Sequence, residues 1–138
     1  MSIDDILDNF AFLDDWEDRY RYLVELGREL DPLPEADRTD ANKVQGCVSQ
    51  VWLATTVVAN GDTRLTFKGD SDAHIVRGLV AILISLCSGQ TARAILDTDI
   101  EEVFRGIGLE DNLTPQRANG LRAMIQRVRA DAEKALAG

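Results

Sequence analysis

The chain has 138 residues, 45% of them hydrophobic and 28% charged, which predicts one folded domain over residues 1–138 with a real core and excludes a disordered chain. Its net charge of −9 argues against a nucleic-acid backbone as partner. No basic start followed by an apolar stretch suggests a leader, and the longest apolar run, Leu79 to Leu86, is far short of the roughly 20 residues that span a bilayer, so a reducing cytoplasm without membrane contact is expected.

The charge is unevenly spread. Residues 1–40 carry thirteen acidic side chains and four arginines, and the rest of the chain is neutral. Such a segment reads as a solubilising face, or as a surface that steers toward a basic partner. Within it, Ser2 and Asp5 mark a helix start, and Ile3, Ile6, Leu7, Phe10 and Leu13 recur at helical spacing, predicting a helix from about 3 to 12. A second helix begins near Asp14 or Asp15, striped by Trp16, Tyr20, Leu23, Gly27 and Leu30, where core packing explains the aromatics. Gly27 in that stripe suggests close approach of another element. Pro32 and Pro34 end the helix and open a polar segment to Asn42, with one helical turn over Glu35–Arg38.

Next comes Lys43-Val44-Gln45-Gly46-Cys47-Val48-Ser49-Gln50, a cysteine directly after a glycine. Glycine takes positive φ readily, so Cys47 is expected at a loop tip. The neutral polar side chains of Gln45, Ser49 and Gln50 offer hydrogen bonds without a competing anion. A thiol reacts as the thiolate, and a free cysteine is also among the most buried residue types, so a reactive and an inert Cys47 both stand on chemistry alone. Val48 to Ala59 has no charged residue and reads as a covered strand; Asn60-Gly61 signals a two-residue hairpin; Thr63 to Lys68 alternates, with Leu65 and Phe67 inward. Lys43 to Gln45 is expected to pair as a short third strand, with Gly46-Cys47 as the turn.

Gly69-Asp70 is read as the strand break, with Ser71 or Asp72 capping an apolar central helix over Ile75–Leu86. Cys87 at its end reads as a small core residue. With only these two cysteines there is no disulfide framework, and neither their spacing nor a nearby histidine fits a metal site. His74, the only histidine, falls in the first turn beside Asp72. Thr91–Asp97 and Ile100–Ile107 are short helical pieces. Thr114-Pro115 opens a long last helix striped by Leu121, Met124, Ile125, Val128, Ala132 and Leu136, with Arg122, Arg127, Arg129 and Lys134 on a mainly solvated face. Arg117 in its first turn opposes the helix dipole and therefore calls for a carboxylate partner or a functional role. The whole predicts an α+β fold: a small three-stranded antiparallel sheet with helices packed on one face.

The run Val44-Gln45-Gly46-Cys47-Val48-Ser49-Gln50-Val51-Trp52 resembles the signature of the SufE family, sulfur acceptors of iron–sulfur cluster assembly. Trp16-Glu17-Asp18-Arg19-Tyr20 with Leu26-Gly27, Gly69 to Ala73 leading into Ile75-Val76-Arg77-Gly78-Leu79, and Leu113-Thr114-Pro115 with Arg117 and Gly120-Leu121 resemble the same family, in the same order. The resemblance implies the fold just given, kinship with cluster scaffolds, and a persulfide carried on Cys47. It further implies a pyridoxal-phosphate-dependent cysteine desulfurase as donor and activated partner, a cluster scaffold as recipient, and no cofactor on this chain. Gln45, Gly46, Ser49 and Gln50 would support the loop, and Asp70, Asp72 and Arg117 are candidates for partner binding. Two other readings stand beside this one: a regulatory adaptor with an inert thiol, and a cysteine hydrolase pairing Cys47 with His74.

Overall fold

A computed structural model describes residues 2–109 and 111–137. Two short N-terminal helices, α1 (Ile3–Phe12) and α2 (Trp16–Arg28), lead through a 3-10 turn at Glu35–Asp37 to a hairpin of β1 (Val51–Asn60) and β2 (Asp62–Ser71). Four helices follow: α3 (His74–Cys87), α4 (Ala92–Asp97), α5 (Ile100–Gly106) and α6 (Pro115–Ala137). The helix starts are set locally by side chains that accept otherwise orphaned N–H groups. Ser2 accepts from Asp5 N at 3.2 Å, Asp15 from Glu17 N at 3.0 Å, Thr91 from Ala94 N at 3.0 Å and Asp99 from Glu102 N at 3.1 Å.

The centre of the molecule is α3, whose Leu79, Val80, Ile82 and Leu83 are fully buried. It lies between α2 and the sheet, and glycines permit both approaches. A Cβ on Gly27 would fall 2.8 Å from Arg77 Cβ and 2.9 Å from Gly78 N. One on Gly69 would fall 2.8 Å from Val80 Cγ1 and 2.9 Å from Leu53 Cδ2. Gly69 thus does not break the strand, as the sequence suggested. It lets β2 run on to Ser71 beneath α3. The helix consequently starts only at His74, and neither Ser71 nor Asp72 caps it: Ser71 Oγ accepts from Ala73 N at 3.2 Å, and the N-cap residue is Ala73, whose side chain has no oxygen to offer.

Among the described residues the antiparallel sheet has two strands, not the expected three. Lys43 pairs with Trp52 only as an isolated bridge, flanked by Val44 N to Val51 O and Leu53 N to Asn42 O, both 2.8 Å. Turns on both sides end the pairing there, because Asn42 N and Lys43 N donate back to Thr39 O and Asp40 O while the chain reverses at Gly46. Val48 is 76% exposed and belongs to the loop, so β1 begins at Val51. At the hairpin tip Asn60 is partnered with Asp62, and Gly61 alone, at φ 84°, makes the reversal, instead of a two-residue Asn60-Gly61 loop.

Val51, Leu53, Leu65, Phe67 and Gly69 form the buried face of the hairpin, beneath α3. On the other face Thr56, Arg64, Thr66 and Lys68 are exposed, while the Trp52 ring is covered by the Arg38 guanidinium, 5.0 Å from its centroid. α6 is tied to α5 by Arg129 and Glu101 (2.6 Å), and to β1 by Thr55 Oγ1 donating to Asp131 at 2.7 Å. Arg127 bonds Asp131 at 3.3 Å and the carbonyl of Ala41 at 3.0 Å. Two arginines expected on a solvated face therefore anchor α6.

Candidate functional site: a half-buried thiol in a cleft

The loop 45–50 is held by its ends. Val44–Val51 closes one end, and at the other Gln50 N donates to the Asp72 carboxylate at 3.1 Å while Asp72 N donates to Gln50 O at 3.3 Å. Between them Gly46 takes φ 91°, a left-handed conformation that costs a side-chain-bearing residue energy. A Cβ there would also lie 3.3 Å from Ala123 Cβ of α6. The reversal turns Cys47 toward α6, where its S–H donates to the carbonyl oxygen of Gly120 at 3.6 Å.

Cys47 is half-buried at the wall of a cleft of about 250 Å³, lined also by Val48, Ser49, Val76, Thr114 and Arg117. Burial pushes its thiol above the ordinary value, so the resting group is protonated at neutral pH. Arg117 sits in the first turn of α6 with its N–H accepted by Thr114 Oγ1 at 3.3 Å. Its guanidinium has no hydrogen-bond or ion-pair partner among the described residues.

The other candidates from the sequence sort by place. Ser49 lines the cleft; the Gln45 and Gln50 side chains are exposed, and Gln50 acts through its backbone. Asp70 lies outside the cleft lining, with its carboxylate between Arg38 at 2.6 Å and Arg77 at 2.8 Å. Burial opposes its ionisation, yet the Arg38 hydrogen bond, the Ser71 N–H and the charges of Arg77 and Arg38 outweigh it and keep the carboxyl below the usual range. His74 is exposed and lines no part of the cleft.

Gly120, Thr114 and Val76 complete the site without having been singled out for chemistry. Only the resemblance pointed at them, through its Leu113-Thr114-Pro115, Gly120-Leu121 and Ile75-Val76-Arg77-Gly78-Leu79 segments. The aromatic segment of α2 contributes indirectly. Trp16 packs on Gly108, Arg19 Nη1 donates to Ile107 O at 3.4 Å, and Tyr20 OH donates to Asn112 O. These contacts fix the loop that delivers the chain to Thr114 and so set where α6 begins.

The site and fold define a class: an α+β domain that offers one loop-tip cysteine beside a cationic helix start. The SufE family, described as an Fe-S metabolism associated domain, matches residues 4–132. An uncharacterized SufE-like protein of Rhizobium meliloti (strain 1021) is 56% identical over 133 residues, 96% of this chain and 95% of the relative. A second, from Rhizobium etli, is 54% identical over 96% of this chain and 90% of its own length. The solution structure of a hypothetical protein from Thermus thermophilus superposes with a TM-score of 0.75 at 28% identity, covering 100% of both chains. The chain belongs to the SufE family, and with it to iron–sulfur metabolism. Among the described residues no helix is long and apolar enough to cross a membrane.

Proposed function

We propose that this protein is the sulfur acceptor and activator of a pyridoxal-phosphate-dependent cysteine desulfurase, and that Cys47 carries the sulfur to an iron–sulfur cluster scaffold. The observation that carries the reading is the single half-buried thiol on a glycine-hinged loop, sharing its cleft with an arginine that has no ion-pair partner among the described residues, in a chain of this family. The Cys47 thiolate attacks the terminal sulfur of the donor's persulfide. A new S–S bond forms on Cys47, the donor's S–S bond breaks, and the donor leaves as a thiolate. Sulfur moves without net oxidation, so no redox partner is needed. Removing it frees the desulfurase for another turnover, which is the activation.

The resting thiol is protonated and bonded to Gly120 O, so the loop has to leave α6 before it reacts. Gly46 gives the backbone that freedom. Asp70, Asp72 and Arg117, at or near the foot of the loop and the cleft, are the proposed docking residues. The cytoplasm is the proposed compartment.

The test is intact mass after mixing the protein with its desulfurase and free cysteine. A gain of one sulfur atom, removed by a thiol reductant and absent in Cys47→Ser, is the expected result. Stimulation that survives Cys47→Ser without any mass gain would replace the acceptor by an inert-thiol adaptor. Loss of activity in His74→Ala would instead favour the hydrolase.

A further inference from the structure

The hairpin has two outer edges, and they are treated differently. Along β2, Leu65 N donates to Gln90 O at 3.1 Å, Gly89 N donates to Leu65 O at 2.7 Å, and Phe67 N donates to Ser88 Oγ at 2.9 Å. The middle of that edge is covered by the chain itself. Along β1 the cover stops early: Val51 and Leu53 bond to Val44 and Asn42, and nothing continues it among the described residues. Odd-numbered residues of β1 point their N–H and C=O groups outward, as Leu53 N shows. Those of Thr55, Val57 and Ala59 accordingly have no strand to bond among the described residues.

An open edge is normally blunted by charge, proline or a bulge. The stretch Ala54-Thr55-Thr56-Val57-Val58-Ala59 has no charge and no proline, and its pairing with β2 runs without a bulge. Val57 and Val58 are 49% and 43% exposed. Beside it a groove of about 410 Å³ separates β1 from α6, lined by Thr55, Val57, Arg127, Asp131, Lys134 and Ala135. Arg127 and Asp131 neutralise each other there. Lys134 is exposed and has no ion-pair partner among the described residues, so the groove is left cationic.

We propose that the free edge of β1, from Thr55 to Ala59, takes up an extended, acidic segment of a partner protein as an added strand. Main-chain bonds to Thr55, Val57 and Ala59 supply the attachment, and alternate side chains supply the selection. Side chains of the added strand that face the groove meet Lys134 and favour carboxylates. Those on the opposite face lie beside Val58 and favour apolar groups. A second copy of this chain is a poorer occupant, because its own β1 carries no acidic side chain. The inference does not depend on the chemistry proposed for Cys47.

The experiment is amide hydrogen exchange of the full-length, isotope-labelled protein by NMR, with capped hexapeptides of alternating valine and glutamate or of alternating valine and lysine. The valine–glutamate peptide is expected to slow exchange at Thr55, Val57 and Ala59 while leaving Leu53 N, already bonded, unchanged. The valine–lysine peptide is expected to have no such effect, and Lys134→Glu to reverse the preference. Val57→Pro removes an outward N–H but no bond to β2, so it should abolish the protection with the hairpin intact. Equal action of both peptides, or of neither, would overturn the proposal. Protection in the free protein that grows with its own concentration would give the edge to a second copy and overturn it as well.

Discussion

The cover over the Cys47 thiol is set by a contact that no local pattern displays. Its carbonyl partner, Gly120, lies 73 residues along the chain. The Gly46-Cys47 pair was legible as a loop tip, yet whether the thiol rests exposed or covered depends on where α6 crosses the loop. Covered, the thiol should alkylate with a pH midpoint above the ordinary value of about 8.5, and the same chain unfolded in urea should show the ordinary midpoint. Iodoacetamide rates against pH will check this; equal midpoints would mean that the cover is not kept in solution. Cys87 tests burial in another way. It is 2% exposed, and burial, weakly opposed by the charge of Arg129, pushes its thiol up from 9.0 to about 12. A thiol raised by folding stabilises fully below its unfolded value, and that stabilisation is lost as pH rises through the folded one. The urea midpoint should therefore fall from pH about 9 upward, and fall less steeply in Cys87→Ala, although that variant starts lower because of the cavity it leaves.

At the scale of elements, the starts of α1, α2 and α6 and their amphipathic stripes were readable because their signals lie within one or two turns, whereas the start of α3 was misplaced because β2 runs on past Gly69. The third strand was misread for a physical reason. A strand needs a partner over several residues, and the turns at Asn42 and Gly46 leave Lys43 too little length. Gly69 was misread as a break because the need for its missing Cβ comes from Val80, on another element. The same logic separates two helical glycines. A Cβ on Gly78 would run into the Leu23 carbonyl and side chain, so Gly78→Ala should destabilise by about 1–3 kcal/mol or more by forcing α2 and α3 apart. Gly106 has nothing within 4 Å of that position, so Gly106→Ala should be neutral or stabilise by roughly 0.4–1 kcal/mol. Urea unfolding of the two variants gives the comparison, and similar losses in both would count against the tight α2–α3 packing.

Across the whole molecule the charge imbalance was fully legible, because it is a property of the sequence. The excess of −9 lies within residues 1–40: α1 carries three aspartates and no basic residue, α2 is neutral with three acidic side chains and three arginines, and the rest lies in the segments that follow each helix. Like charges confined to one part of the surface repel, and salt screens them over about 10 Å at 0.1 M. Raising the salt from about 0.02 to about 0.5 M should raise the melting temperature in scanning calorimetry, an effect weakened by replacing Asp4, Asp5 and Asp8 with asparagine. A fall in stability with salt would assign the greater weight to the attractive pairs, Arg38–Asp70–Arg77 and Arg129–Glu101. The anchored feet of the cysteine loop set a leash. Cys47 lies three residues on from Val44, which is bonded to Val51, and a fully extended chain covers at most about 3.3–3.6 Å per residue, so the Cys47 backbone reaches about 10 Å from that anchor. In the transfer proposed above, a donor sulfur more than about 10 Å deep, plus the length of one side chain, stays out of range unless the two protein bodies interlock or Val44 is unpinned from β1.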